Sequence, residues 1–208
     1  MKLTVFRSAQ GDCLLATDDR RNHILVDGGM AESYTDHVAP YLRYLQRRRE
    51  RIGLVCITHI DQDHITGVLQ LLDDLVEWRV WDFQNGRNPR ARKPKVVRPP
   101  EIDGIWHNAF HELLGANAGP IESMLAAMAT GLRADGSSSA LATADRYDGL
   151  AASERQAILV SRRIGERQLN IPLNPEFDGR LVFVSDPATT TAVGEMRLTV
   201  IGPFAEDL

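Results

Sequence analysis

Residues 58 to 67, Thr-His-Ile-Asp-Gln-Asp-His-Ile-Thr-Gly, put His59, Asp61, Asp63 and His64 within six consecutive positions. Imidazole nitrogen and carboxylate oxygen are the donors that zinc and similar divalent cations take, and catalytic sites leave one position open for water. In an extended stretch alternate side chains point the same way, so His59, Asp61 and Asp63 can share a face. A turn into a following helix then brings His64 round from another direction. The competing reading is that Asp61 and Asp63 only cap that helix while the histidines are ordinary surface or core residues. Four polar groups behind an apolar strand are costly unless something neutralises them, and that favours a metal.

The elements that must position this cluster are legible around it. Apolar runs predict strands over 3–6, 13–16 and 23–26, separated by the turn chemistry of Gln10-Gly11-Asp12 and of 18–22. The third ends in Asp27-Gly28-Gly29, a carboxylate at a strand terminus followed by a flexible corner. A helix is expected over 35–51, with Val38, Tyr41, Leu42 and Leu45 on one face and basic residues at its C-terminal end, where they suit the helix dipole. A strand over 54–58 then delivers the cluster. A helix over 65–75 and a strand over 76–83 follow. The order is a meander, then helix, strand, helix, strand, which fits a layered α/β sandwich rather than a helical bundle or an all-β barrel. Further on, 105–114, 121–132 and 153–164 read as helices, and 181–184 and 196–201 as strands.

Bulk properties bound the answer without choosing it. The chain has 208 residues, 43% hydrophobic and 25% charged, with a formal net charge of -4. That is ordinary for a globular protein, and overall charge does not point to nucleic acid. Cys13 and Cys56 lie in apolar runs as buried free thiols; two cysteines make neither a zinc ribbon nor a disulfide framework. No segment reaches the roughly 18 apolar residues of a membrane span, and the N-terminus has no cleavage-site pattern, so a cytoplasmic protein without a membrane partner is expected.

The pattern His59-x-Asp61-x-Asp63-His64 between a strand and a helix resembles the signature of the metallo-β-lactamase superfamily. The Gln10-Gly11-Asp12 turn, the Ile24-Leu25-Val26-Asp27-Gly28-Gly29 strand end and Thr58-His59 resemble it as well. Aspartate at the signature's third position is similar to the subgroup that includes the hydrolase domain of bacterial DNA-uptake competence proteins. The resemblance runs from about residue 2 to 80 and returns weakly at 194–203.

What the resemblance implies is specific. The fold would be a metallo-β-lactamase-like αβ/βα layered sandwich, with this chain carrying the N-terminal part of the domain. Residues 1–83 would be its first half, 84–180 a basic loop and helical insertion, and 181–208 the start of the second half. His59 and Asp61 would bind the first metal of a two-metal centre; Asp63 and His64 would bind the second. Asp63 would also orient the attacking water, as the catalytic residue. Asp27 would steady a ligand by a hydrogen bond. The cofactor would be Zn²⁺, two per complete site, with Mn²⁺ or Mg²⁺ accepted because aspartate is the harder ligand. The implied chemistry is metal-assisted hydrolysis, foremost that of a phosphodiesterase or nuclease, with ester, lactam or thioester hydrolysis as the alternative.

Family members complete the site with a further histidine, a bridging aspartate and a last histidine. Only His107 and His111 follow the cluster here, and Asp186 falls too early for the bridging position. The expectation is therefore a half-site that binds metal weakly, completed by a missing C-terminal half or a separate chain as partner. A non-catalytic fragment that needs such a partner is the remaining alternative. Members of this subgroup also occur beside proteases, so a regulatory protease is an implied partner, although no residue here argues for one.

Two secondary signals concern substrate. Trp106 and His107 are expected to be exposed near the metal mouth as substrate contacts. The loop 87–98 carries six basic residues in twelve, and Arg90, Arg92 and Lys93 are candidates for contacting the phosphates of a nucleic acid. A solvated linker kept soluble by charge is the competing reading of that loop.

Overall fold

A computed structural model describes residues 1–8, 10–108, 118–185 and 189–207. Its main sheet has five strands in the order β1 (Lys2–Val5), β2 (Leu14–Thr17), β3 (His23–Val26), β4 (Ile52–Cys56) and β5 (Ile105–Trp106). The first three form an antiparallel meander, whereas β3, β4 and β5 run parallel. Short strands of a meander need only tight turns, but each parallel step needs a crossover. The helices supply these.

Between β3 and β4 the chain winds through α1 (Ala31–Ser33), a π-helical stretch (Tyr34–Val38) and α2 (Ala39–Arg47). The helical run 31–47 is continuous, and Pro40, which has no N–H to donate, comes directly after its π-helical stretch. After β4 comes α3 (Gln62–Gln84), then the basic loop, then β5. Two further helices, α4 (Ala118–Asp135) and α5 (Ser138–Ile164), pack on each other, and α5 packs on α3. A separate hairpin, β6 (Thr190–Val193) with β7 (Met196–Thr199), follows.

Both faces of the central strands are covered. On one side Leu25, Ile52 and Val55 meet Val38, Leu42 and Leu45 of the first crossover, Leu71 and Leu72 of α3, and Val160 and Ile164 of α5. On the other, Ile24, Leu54 and Trp106 pack against Val182, Met196 and Val200. Strands covered on both faces need apolar residues at every position rather than alternate ones, hence the unbroken Ile24-Leu25-Val26 and Leu54-Val55-Cys56. The result is a layered α/β fold of helices, sheet and hairpin.

Three expectations need correction. Val76–Phe83 is the second half of α3: Leu71, Leu72 and Leu75 are buried at helical spacing, and the aromatic residues after them continue that helix toward the surface. Residues 105 and 106, expected to open a helix, form β5, because Val55 and Ile57 extend their ladder to Gly104 and Trp106. Residues 181–184 form no strand; this stretch is irregular, with the Val184 amide bonded to the Pro203 carbonyl. His111 and Asp186 lie outside the described residues.

Candidate metal centre

The cluster sits where parallel strands end. Asp27 follows β3, Thr58 and His59 follow β4, and His107 follows β5, all at the carboxyl edge of the sheet, where open α/β sheets place their sites. Two glycine contacts bring α3 against this edge. The Gly28 amide donates to the His64 carbonyl at 2.8 Å, and the Gly67 amide to the Gly29 carbonyl at 2.9 Å. A Cβ on Gly28 would lie 2.2 Å from the Val68 nitrogen, and one on Gly67 would lie 2.0 Å from the Gly28 oxygen. The turn at Gly11, with φ +68°, rests equally close on the Asp63 backbone. Only glycine allows these approaches.

Asp27 is the hub. It is buried with φ +56°, and its Oδ1 accepts from the Thr58 amide at 2.8 Å. Its Oδ2 accepts from the Thr58 hydroxyl at 2.6 Å and lies 3.0 Å from His64 Nδ1. The Thr58 oxygen in turn lies 3.0 Å from His59 Nδ1. A hydroxyl has one proton, and that of Thr58 is spent on Asp27. His59 Nδ1 must therefore donate to Thr58, and His64 Nδ1 to the Asp27 carboxylate. An imidazole that donates from Nδ1 can ligate only through its Nε2 lone pair.

Each of those Nε2 atoms faces an aspartate. His59 Nε2 lies 3.6 Å from Asp61 Oδ2, and His64 Nε2 lies 3.8 Å from Asp63 Oδ2. The two rings are 3.7 Å apart between centroids. These nitrogen–oxygen gaps are too wide for hydrogen bonds and close to the roughly 3.3 Å spanned by two ligands on one tetrahedral cation. Asp61 occupies the N-cap of α3, yet its side chain makes no capping bond, and it is 63% exposed. The capping explanation of Asp61 is therefore not what the geometry shows. The donor chemistry fits divalent cations as two His/Asp pairs. Among the described residues no group of three or more His, Cys, Asp or Glu gathers at one point, so each pair needs further donors.

The cysteines do not compete for this role. Burial, with the Asp27 charge adding to it, pushes the Cys13 thiol up to about 12. Cys56 is likewise raised to about 12, by burial first and then by Asp27 and Glu176. Both remain thiols near neutral pH, and thiols are poor ligands.

The remaining candidates are distributed around this edge and away from it. Trp106 and His107, expected to be exposed, are buried at 9% and 2% exposure because β5 carries them into the sheet. Trp106 donates its indole N–H to Glu176 at 2.6 Å and packs edge-on against Phe177. Both nevertheless line a cavity of about 310 Å³ that also reaches Cys56 and Thr58. Lys93 lies elsewhere, beside Trp78 of α3, fifteen residues and thus ~22 Å along that helix from Asp63. Arg90 and Arg92 are exposed on the same loop.

Reading the sequence missed Arg146. It projects from α5 into a hollow of about 390 Å³ shared with Asp61, Gln62 and Asp63. Its separation of more than eighty residues from the cluster gave no signal; only the packing of α5 on α3 brings it there.

No curated protein and no solved structure matches the chain. Among the described residues no helix is long and apolar enough to cross a membrane. One family model does match, and it covers the segment that builds this edge: residues 8–76, about a third of the chain, which include Asp27 and all four paired residues, match the Metallo-beta-lactamase superfamily.

Proposed function

We propose that this chain contributes the core of a metal-dependent hydrolase whose substrate is a phosphodiester, most readily a nucleic acid. The carrying observation is the Asp27 network, which orients two imidazoles so that both Nε2 atoms face aspartates. His59 with Asp61, and His64 with Asp63, would hold the two cations, either Zn²⁺ or the harder Mn²⁺ and Mg²⁺ that aspartate favours. Bound divalent cations would supply hydroxide near neutral pH and stabilise developing charge.

The protein's own residues do the rest. Asp63, partly exposed in the first turn of α3, accepts a hydrogen bond from the attacking water and fixes its direction. Asp27 keeps both imidazole protons on Nδ1. Arg146, which lines the same hollow as Asp61 and Asp63, offers a guanidinium to an anionic substrate oxygen, which supports a phosphodiester over a neutral ester or lactam. Trp106 and His107 shape the neighbouring cavity. Closing each four-coordinate shell requires donors beyond the pairs, and a second polypeptide segment bearing aspartate and histidine is the proposed source.

The test compares Mn²⁺-dependent degradation of plasmid DNA with turnover of a chromogenic ester, for this chain alone and with a polypeptide that supplies the further aspartate and histidine donors. Nuclease activity that is lost in Asp63→Asn and His64→Ala supports the proposal. Ester turnover without nuclease activity would replace it with the alternative hydrolase reading.

A further inference from the structure

Away from the metal edge, the structure joins two basic segments that are more than forty-five residues apart. Arg43 and Arg47 of α2 meet Lys93, Lys95 and Arg98 of the loop around a hollow of about 480 Å³, with Trp78 of α3 in its wall. Among the described residues no acidic side chain lines it. Arg98 is neutralised by an ion pair with Asp82 and lies over the Trp78 ring, 5.0 Å from its centroid. Lys93 lies over the same ring at 5.7 Å. The Trp78 indole N–H is fixed on the Val96 carbonyl at 3.2 Å, which ties the loop to the helix. Among the described residues Arg43, Arg47, Lys93 and Lys95 have no carboxylate partner, in a chain whose net charge is -4.

Four unpaired cations held in a recess repel one another, and the arrangement is favourable once an anion with several charges enters. We infer that this hollow binds successive phosphates of a single-stranded nucleic acid, separately from the metal edge. The recess is concave, which suits a strand rather than the flat surface of a membrane. Arg90 and Arg92 are exposed on the same loop but do not line the hollow. Arg98 and Lys93 already cover the Trp78 face, so recognition is by phosphate charge rather than by stacking on Trp78, and sequence preference should be weak. The choice of nucleic acid rests on the hydrolase reading above; the hollow itself does not.

The test is fluorescence anisotropy of labelled DNA and RNA single strands with the whole chain across a salt series. Four phosphate contacts give a slope of about -2.8 in log K against log salt, a loss of about 50-fold between roughly 50 and 200 mM. Arg43→Gln with Arg47→Gln, or Lys93→Gln with Lys95→Gln, should each halve that slope. These side chains are exposed, and circular dichroism checks that the fold is kept. Arg90→Gln with Arg92→Gln serves as the control outside the hollow and should cost less. Equal losses from this control pair would show general charge attraction and overturn the site. So would unchanged binding in the hollow variants, tighter binding to phosphatidylserine vesicles than to either strand, or full displacement by equimolar tripolyphosphate. Asp61→Asn with Asp63→Asn should abolish hydrolysis and leave strand binding intact. Binding without hydrolysis even when a segment supplying the further donors is present would count against the hydrolase reading alone.

Discussion

Asp27 acts on both imidazoles at once, directly on His64 and through the Thr58 hydroxyl on His59. Thr58→Val keeps the shape but removes the link, and should weaken Mn²⁺ or Zn²⁺ binding by about 10- to 100-fold in calorimetric titration. Thr58→Ser should restore it, whereas a role in packing alone would not be rescued by the smaller side chain. A second buried carboxylate, Asp74 of α3, accepts hydrogen bonds from Tyr34 and Gln70. Burial nevertheless lifts its pKa from 3.8 to about 6. The folded state then binds its proton more tightly than the unfolded chain, so this residue costs stability as pH rises from about 4 through 6. Asp74→Asn can keep both partners and should raise stability above pH 6 by about 2–3 kcal/mol, with the gain vanishing below pH 4. Urea melts at pH 4 and pH 7 measure this; equal effects at both would rule it out.

The metal edge depends on α3 lying directly against the β3 corner. Gly67→Ala puts a Cβ 2.0 Å from the Gly28 oxygen and forces these two backbones apart. A loss of at least about 3 kcal/mol is expected, at the upper end of overpacking costs, with His64 displaced from Asp27. Gly131 of α4 provides the contrast, being exposed with nothing within 4 Å of the position a Cβ would take. Gly131→Ala should stabilise by about 0.5–1 kcal/mol through helix propensity, and the pair of melting curves separates steric from propensity effects. Within the same elements the sequence was most misleading where composition and context disagree. The stretch Val76-Glu-Trp-Arg-Val-Trp-Asp-Phe is rich in strand-preferring residues, yet a helix already packed through Leu71, Leu72 and Leu75 carries it along.

Across the whole molecule, Asp18 ties the hairpin to the sheet. Its Oδ2 accepts from the Glu195 amide at 2.8 Å, bridging the β2–β3 turn and the β6–β7 turn. Burial acts to raise its pKa, but the bonds from Glu195, Asn22 and Arg20 outweigh that and hold it near 2. A depressed carboxylate contributes stability that is present above about pH 4 and lost as pH falls through 2. Asp18→Ala should therefore speed amide exchange in 190–199 at neutral pH and leave exchange in β4 unchanged. Equal acceleration in both would mean that the hairpin and sheet unfold together.

The sequence alone determined the candidate donors and the backbone they need. His59, Asp61, Asp63 and His64 are contiguous, and the apolar run before them fixes a strand, so local chemistry and spacing sufficed. The glycines at 28, 29 and 67 were legible only in part: the corner after β3 was readable, whereas the demand on Gly67 comes from a backbone crossing nearly forty residues away. Tertiary structure alone decided that Asp27 reaches both imidazoles, that Arg146 lines one hollow with the acidic pair, and that Trp106 and His107 are buried. It also decided that two basic segments close around one hollow. Each of these depends on residues distant in sequence, and their distances are set by how helices and sheet pack, which one-dimensional periodicity does not encode.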